Sequence, residues 1–275
     1  MTSSAQLTTC MQCGHAPMVQ LHSFAAFMER LRTVADSRRG MQAYLEANPD
    51  AAFEAFVACG NCRVIRIHPT PTGAVLGRFY THYSGNVGYA NKSASKTRRA
   101  TKRIAMLTKQ TGAVAGARFL DVGCNLGFAV EAARLGGFSA TGIEIGTQAV
   151  EQAKTLFPEN RFIATTAEEF AQTGERFDVV YCAEVIEHVP DVRAFAQALA
   201  QLVAPGGTLF LTTPDAGHWR RNRNFLAWLE VKPPEHVNWQ TRQSLAMLFM
   251  ALGFERPRFR FNLKPGIKML VKRAA

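Results

Sequence analysis

The 275-residue chain has no apolar run approaching the roughly 18–20 residues needed to cross a bilayer, so it does not read as membrane-spanning. Its start, Met1 to Thr9, lacks the basic residues and apolar stretch of a secretory signal. A cytoplasmic location with reduced thiols is therefore the expectation. Six cysteines are too few for a disulfide scaffold in a chain of this length. Gly and Pro show no fixed period, which excludes a collagen-like chain. Acidic residues are missing altogether from Ala55 to Leu120, while that stretch holds eleven basic ones, from Arg63 to Arg118. It accounts for the whole formal net charge of +11; from Asp121 onward the chain carries 17 basic against 16 acidic residues. A basic block beside a balanced core points either to a phosphorylated or polyanionic partner or to a solvated basic helix.

What is present is enough apolar matter for a packed core, 47% of the residues. Four cysteines form two C-x2-C pairs, Cys10 with Cys13 and Cys59 with Cys62. Two intervening residues let both thiols turn toward one ion, and two such pairs complete a tetrahedral four-thiolate site. A structural zinc is the reading preferred over two unrelated apolar pairs or a redox motif, because neither pair opens a helix after a strand. The 45 residues between Cys13 and Cys59 leave room for a helical insert. Phe24, Phe27, Met28, Leu31 and Val34 recur at helical spacing, and Pro49-Asp50 is expected to start a second short helix with Phe53, Phe56 and Val57 on one face. Phe79 to Gly85 reads as a loop, and Asn91 to Gln110 as a basic helix with Ile104 and Leu107 turned inward. The expected organisation is a ribbon-like module over residues 1–90, a basic linker helix over 91–116 and a core over 117–275.

From Ala117 onward, short apolar strands alternate with helices: strands at Arg118–Val122, Ala140–Glu144, Phe162–Ala164, Phe177–Cys182 and Thr208–Thr212, helices at Phe128–Leu135, Thr147–Phe157, Val192–Val203 and Gln240–Leu252. That alternation specifies an α/β, doubly wound, mostly parallel sheet. Two further strands, near Arg258–Asn262 and Ile267–Lys272, close the chain.

The first core strand ends in Asp121-Val122-Gly123-Cys124-Asn125-Leu126-Gly127. Gly123 and Gly127 let the backbone approach a ligand closely. Glu144, 21 residues beyond Gly123 at the end of the next strand, is placed to accept hydrogen bonds from ribose hydroxyls. A dinucleotide loop of the G-x-G-x-x-G type is absent: its last glycine would fall at Phe128. This spacing suits a nucleoside without phosphates, and it disfavours a nicotinamide-dependent oxidoreductase.

Asp121 to Gly127, then Glu144, then Phe177-Asp178-Val179-Val180-Tyr181-Cys182-Ala183-Glu184-Val185-Ile186-Glu187-His188-Val189-Pro190, then Pro205-Gly206-Gly207, together resemble class I S-adenosylmethionine-dependent methyltransferases. The Glu-x-x-Glu-His-Val-Pro run is similar to the ubiquinone-biosynthesis type of O-methyltransferase. The N-terminal part looks like a subgroup that carries a zinc ribbon ahead of the core, some members of which methylate sugars on carbon. The resemblance implies a seven-stranded Rossmann-like sheet with a reversed final hairpin. It also implies that Asp121 and Gly123 line the methionine end of the cofactor and that Glu144 holds the ribose. Ala167 would lie near the adenine, and Ala183 and Glu184 beside the methyl donor. Asn125 stands where the family's loop has its middle glycine.

The sulfonium of such a cofactor is already activated, so the protein has only to align an acceptor and remove a proton where needed. His188 and His236 are candidate bases, and Glu184 is a further candidate catalytic residue; a helix-start histidine bonded to backbone is the alternative for His188, and a solvated loop histidine for His236. Glu184, Glu187 and His188 are also a set that can hold a divalent cation. Trp219, Trp228 and Trp239 with Arg220, Arg221 and Arg223 suit a nucleotide, a sugar phosphate or RNA, or simply a packed lid. The leading expectation is a methyltransferase acting on an oxygen or carbon of a small metabolite, with a sugar or nucleotide-linked sugar among the acceptors. An RNA methyltransferase gripping phosphates through ribbon and basic helix is the alternative, though Asn/Asp-Pro-Pro-aromatic and Pro-Cys motifs are both lacking. A cofactor-binding protein without turnover is the third.

Overall fold

The computed structural model describes residues 9–15, 17–32, 35–50, 52–82, 93–113 and 115–275, and two sheets organise them. The first begins with β1 (Met18–Ser23), whose last residue caps α1 (Phe24–Leu31): the Ser23 hydroxyl accepts from the Ala26 N–H at 3.2 Å. α1 buries Phe27 and Leu31, as the helical spacing requires; Val34 lies outside the described residues. α2 (Ala35–Ala47) follows and buries Met41 and Tyr44.

The short helix expected after Pro49-Asp50 is instead a strand, β2 (Ala55–Cys59). β2 is paired on both edges, by β1 and by β3 (Ile65–His68). Ala55, Phe56 and Val57 are buried in succession. An apolar run that short fits a strand buried on both faces as well as a helix, and the two partner edges decide the matter. The second departure is α3 (Gly73–His82), which occupies part of the expected loop. Thr72 accepts from the Val75 N–H at its start, and Leu76 and Phe79 lie buried one turn apart, Phe79 edge-on to Tyr44. Tyr83, Ser84 and Gly85 lie outside the described residues. The basic helix is α4 (Ser93–Thr111). It buries Ala100, Ile104 and Leu107 against Phe119, Val179, Tyr181 and Phe210 and leaves most of its cations outward.

The second sheet supplies the core. In chain order it comprises β4 (Arg118–Val122), β5 (Ser139–Glu144), β6 (Arg161–Ala164), β7 (Phe177–Ala183) and β8 (Val203–Pro214). The helices between and after them are α5 (Phe128–Leu135), α6 (Thr147–Leu156), α7 (Ala167–Ala171) and α8 (Val192–Leu202). After β8 come β9 (Asn238–Trp239), α9 (Arg242–Met250), β10 (Arg258–Phe259) and β11 (Gly266–Lys272). The sheet runs β10-β11-β8-β7-β4-β5-β6. β4 to β8 are parallel, and β11 and β10 are antiparallel, so seven strands with a reversed final hairpin are present as expected. α8 shows why the layers hold. Asp191 caps it by accepting from the Arg193 and Ala194 N–H groups, and Phe195, Leu199 and Leu202 pack on the sheet. Each such side chain stabilises the fold by about 1.5–3 kcal/mol. Among the described residues, no helix is long and apolar enough to cross a membrane.

The two sheets are not independent. β9 leaves the core after β8 and pairs antiparallel with β3, closing the small sheet as β1-β2-β3-β9. Trp239 of β9 and Phe225, from the segment between β8 and β9, pack against Phe56 of β2, so one aromatic core joins both halves of the chain.

Candidate functional site

The carboxyl ends of β4, β5, β6 and β7 meet at one edge of the parallel sheet, where an open α/β sheet binds its ligand. At the end of β4 the chain turns through three left-handed positions, Gly123 (φ 74°), Asn125 (φ 48°) and Gly127 (φ 80°). A Cβ on Gly123 would come 2.5 Å from Val185 Cγ2, and one on Gly127 the same distance from Phe162 Cζ, so neither position admits a side chain. Asn125 is the non-glycine residue best suited to this backbone, and its own Oδ1 accepts from the Leu126 N–H at 2.9 Å. The Asn125 N–H in turn donates to Glu144 Oε2 at 3.0 Å, while Glu144 Oε1 accepts from the Gly146 N–H at 3.1 Å. The end of β6 is tied to the same acid, because the Thr165 N–H donates to the Glu144 carbonyl. Thr166 then caps α7, with Ala167 as its first residue.

Asp121 is buried at the floor of this cleft, and its carboxyl is held well above the usual range by burial and by the nearby Glu144 charge. Arg103 of α4 opposes that shift. Arg103 also donates through Nη1 to the Tyr181 hydroxyl at 2.7 Å. The sequence reading missed this residue. Its signal was faint: one arginine of a basic helix, next to the inward-facing Ile104.

Ala183 ends β7, and Glu184 follows it with φ 58°. The Glu184 side chain is exposed and accepts from Thr212 Oγ1 of β8 at 2.6 Å. A single 3-10 turn, Ile186–His188, comes next. His188 and His236 face each other edge to face, with ring centroids 4.9 Å apart. His188 Nδ1 lies 2.7 Å from the Glu235 carbonyl oxygen, and His236 Nδ1 lies 2.7 Å from that of Glu230. A carbonyl only accepts, so each Nδ1 carries the proton and each Nε2 keeps its lone pair. Burial lowers the pKa of both rings, that of His236 to about 3 with help from His188, so both are neutral near pH 7.

The cation set read from the sequence is corrected in one member. Glu187, His188 and His236 bring their ligand atoms within 4.8 Å of one another, and Glu184 stands outside the group, engaged by Thr212. Glu187 is buried, accepts from Thr213 Oγ1 at 2.9 Å, and has its carboxyl raised by burial and by Glu184. Of the aromatic and arginine cluster, Trp228 and Trp239 are core residues, and Arg221 is spent on the Ala216 carbonyl; Trp219, with Arg220 against its ring, and Arg223 face outward.

At one end of the small sheet, Cys10, Cys13, Cys59 and Cys62 place their sulfurs within 4.8 Å of one another. Cys10 and Cys62 are 3.8 Å apart and Cys13 and Cys59 3.6 Å. A tetrahedron of ~2.3 Å zinc–sulfur bonds has edges of ~3.8 Å, so the four thiols fit that ion as they stand. The hydrogen bond from Cys62 draws the Cys10 thiol down toward thiolate, while Cys62 is pushed up. Cys124 and Cys182 are buried elsewhere, their thiols raised by burial.

A family model described as a methyltransferase domain matches residues 92–256. Among curated proteins, the ubiquinone biosynthesis O-methyltransferase of Salmonella newport (strain SL254) is 36% identical over 132 residues, which are 46% of this chain and 52% of that protein. The chain thus spans about half the length of the curated relatives it matches. Among solved structures, magnesium protoporphyrin IX methyltransferase from Synechocystis PCC 6803 with bound SAH superposes with a TM-score of 0.52 at 18% identity, covering 74% of this chain and 95% of that one. An amino pentose methyltransferase from Micromonospora echinaspora with bound SAM gives 0.52 at 18% identity, covering 70% and 98%. Both likenesses are of fold. The sheet order, the glycine turn with its acid, and the matched residues lead to one conclusion: the chain belongs to the family of class I S-adenosylmethionine-dependent methyltransferases.

Proposed function

We propose that this chain transfers the methyl group of S-adenosylmethionine to an oxygen of a small metabolite, a sugar or nucleotide-linked sugar among them. The pairing of His188 with His236 is the observation that carries the reading. Two neutral imidazoles, each with Nδ1 fixed by a carbonyl, stand beyond the end of β7. In this reading Gly123, Asn125 and Gly127 shape the cofactor cleft, with Asp121 at the methionine end and Arg103 as its counter-charge. Glu144 receives the ribose, Ala167 borders the adenine, and Ala183 borders the reacting sulfur. S-adenosylmethionine supplies an activated methyl group, so the protein needs no strong nucleophile of its own. His188 takes the proton from the acceptor hydroxyl through Nε2, and Glu184 orients that hydroxyl from the other side. The curated relative's name, an O-methyltransferase, supports oxygen over carbon.

Glu187, His188 and His236 support a second reading, in which they hold a divalent cation that orients the acceptor oxygen. The carbonyl partners of both rings are the outer contacts that ligating histidines commonly have. In the small sheet, Cys10, Cys13, Cys59 and Cys62 hold a structural zinc. The test is twofold. Calorimetry on ligand-stripped protein should show uptake of S-adenosylmethionine or its demethylated product; no uptake sinks the assignment. Labelled methyl from the cofactor should then appear in a small-molecule fraction of a cell extract, with little dependence on salt. Label in RNA, lost steeply as salt rises, would overturn the small-molecule reading.

A further inference from the structure

Gln12 sits inside the first cysteine pair, between Cys10 and Cys13, yet its carboxamide is turned toward the core. It forms a reciprocal pair with Gln240: each amide nitrogen donates to the other's oxygen at 3.2 Å. Gln12 Nε2 also donates to the Ser244 carbonyl at 3.0 Å. Gln240 Nε2 donates on to Asn238 Oδ1 at 2.8 Å, and Gln240 Oε1 accepts from the Ser244 hydroxyl at 2.7 Å. Asn238 Nδ2 then donates to two backbone carbonyls, Ile186 at 2.8 Å and Val189 at 3.0 Å. Those carbonyls bracket Glu187 and His188.

The three amides offer two N–H groups each, and every one has an acceptor. The chain also has one orientation only. Backbone carbonyls at both ends can only accept, so the nitrogens of Asn238 and Gln12 must face them, and Gln240 has no freedom to flip between. Asn238, Gln240 and Ser244 are buried, where a broken link leaves unpaired polar atoms with no water to replace the partner. Two more bonds run alongside: Val237 N–H donates to the Glu187 carbonyl, and Thr241 Oγ1 to that of Cys62. The turn carrying His188 is therefore pinned to β9, and β9 to the cysteine knuckle.

We infer that Asn238 and Gln240 are positioning residues for methyl transfer, and that the cysteine knuckle, through Gln12, is the anchor that fixes the His188 turn. The inference rests on His188 acting at the acceptor, as proposed above. The Gly123–Gly127 turn and Glu144 take no part in this chain of bonds, so the knuckle governs the acceptor side of the site and leaves cofactor binding alone.

The test uses full-length protein purified with its zinc, labelled with ¹⁵N-histidine and saturated with S-adenosylhomocysteine. In the native protein His188 should show one tautomer, protonated at Nδ1. Gln12→Leu removes the anchor at a half-buried edge; Asn238→Ala removes the final link. Both should shift or split the His188 ring resonances while those of His15 stay in place. Zinc per chain and affinity for S-adenosylhomocysteine should not change. His188 resonances unmoved in the folded Gln12→Leu protein would overturn the inference, and so would a parallel loss of cofactor affinity, which marks a global effect. If Asn238→Ala does not fold, Gln12→Leu still decides. Failure of native protein to bind the cofactor product would strike the methyl-transfer reading instead; His188 resonances recorded without ligand would then decide this one.

Discussion

Across 19 positions of sequence, the Asn125 N–H donates to Glu144 Oε2 at 3.0 Å, joining the loop after β4 to the end of β5. The glycine turn and the acid proposed to face the adenosine are thus joined by a hydrogen bond of the chain itself. In the proposed function, ribose hydroxyls meet a Glu144 side chain already held by two backbone N–H groups, so little ordering entropy is left to lose on binding.

Glu144→Ala should weaken binding of S-adenosylhomocysteine by ~1–3 kcal/mol, the cost of leaving ribose hydroxyls unpaired in the bound state. Calorimetry measures this directly. Equal affinity in the variant would remove Glu144 from its assigned role.

Asn125 holds φ 48° without being glycine. Asn125→Gly and Asn125→Ala both lose the side-chain bond to the Leu126 N–H, so the difference between them isolates the backbone. Asn125→Ala should be less stable than Asn125→Gly by ~1–2 kcal/mol in denaturant unfolding. Equal midpoints would mean that this turn relaxes in solution.

The core was legible because its signals are local and redundant. Asp121 to Gly127, Glu144 and the strand–helix alternation each point to the same sheet. The small module was less legible because its elements are decided by distant partners. Phe53, Phe56 and Val57 fit a helix until β1 and β3 take both edges of β2. The role of Asn238 depends on Ile186 and Val189, some fifty residues earlier in the chain. Arg103 was hidden for the same reason, since Tyr181 and Asp121 approach it only across the folded sheet.

Arg103 is the cation that opposes the upward shift of the buried Asp121 carboxyl. Arg103→Met should lower cofactor affinity, by ~1.5–3 kcal/mol if the lost interaction is that of a hydrogen-bonded charge. Tyr181→Phe, which keeps the guanidinium, should cost less. The reverse ranking in calorimetry would assign the effect to the tyrosine.

Sulfur separations of 3.6 and 3.8 Å match the edges of a four-thiolate zinc tetrahedron. Freshly purified protein should carry one zinc per chain by atomic emission. Stripping it with a strong chelator should lower the unfolding temperature, because a bound ion would add four sulfur bonds that join Cys10 and Cys13 to Cys59 and Cys62. Protein that is folded, reduced and almost free of metal would count against the site.

His236 gives the pH prediction, and its sign follows from burial. Its folded-state pKa is depressed from the ordinary 6.5 to about 3, so the folded chain refuses a proton that the unfolded chain accepts below 6.5. The stability conferred by the neutral ring is fully present above pH 6.5 and is lost as pH falls from there toward 3. His236→Asn has no ring to protonate. Whatever stability gap separates native protein from His236→Asn at pH 7 should therefore shrink by up to ~2 kcal/mol at pH 5. Paired urea titrations at the two pH values measure the difference, in which the shift of Asp121 cancels because both proteins share it. A gap that stays constant would place the His236 ring in water.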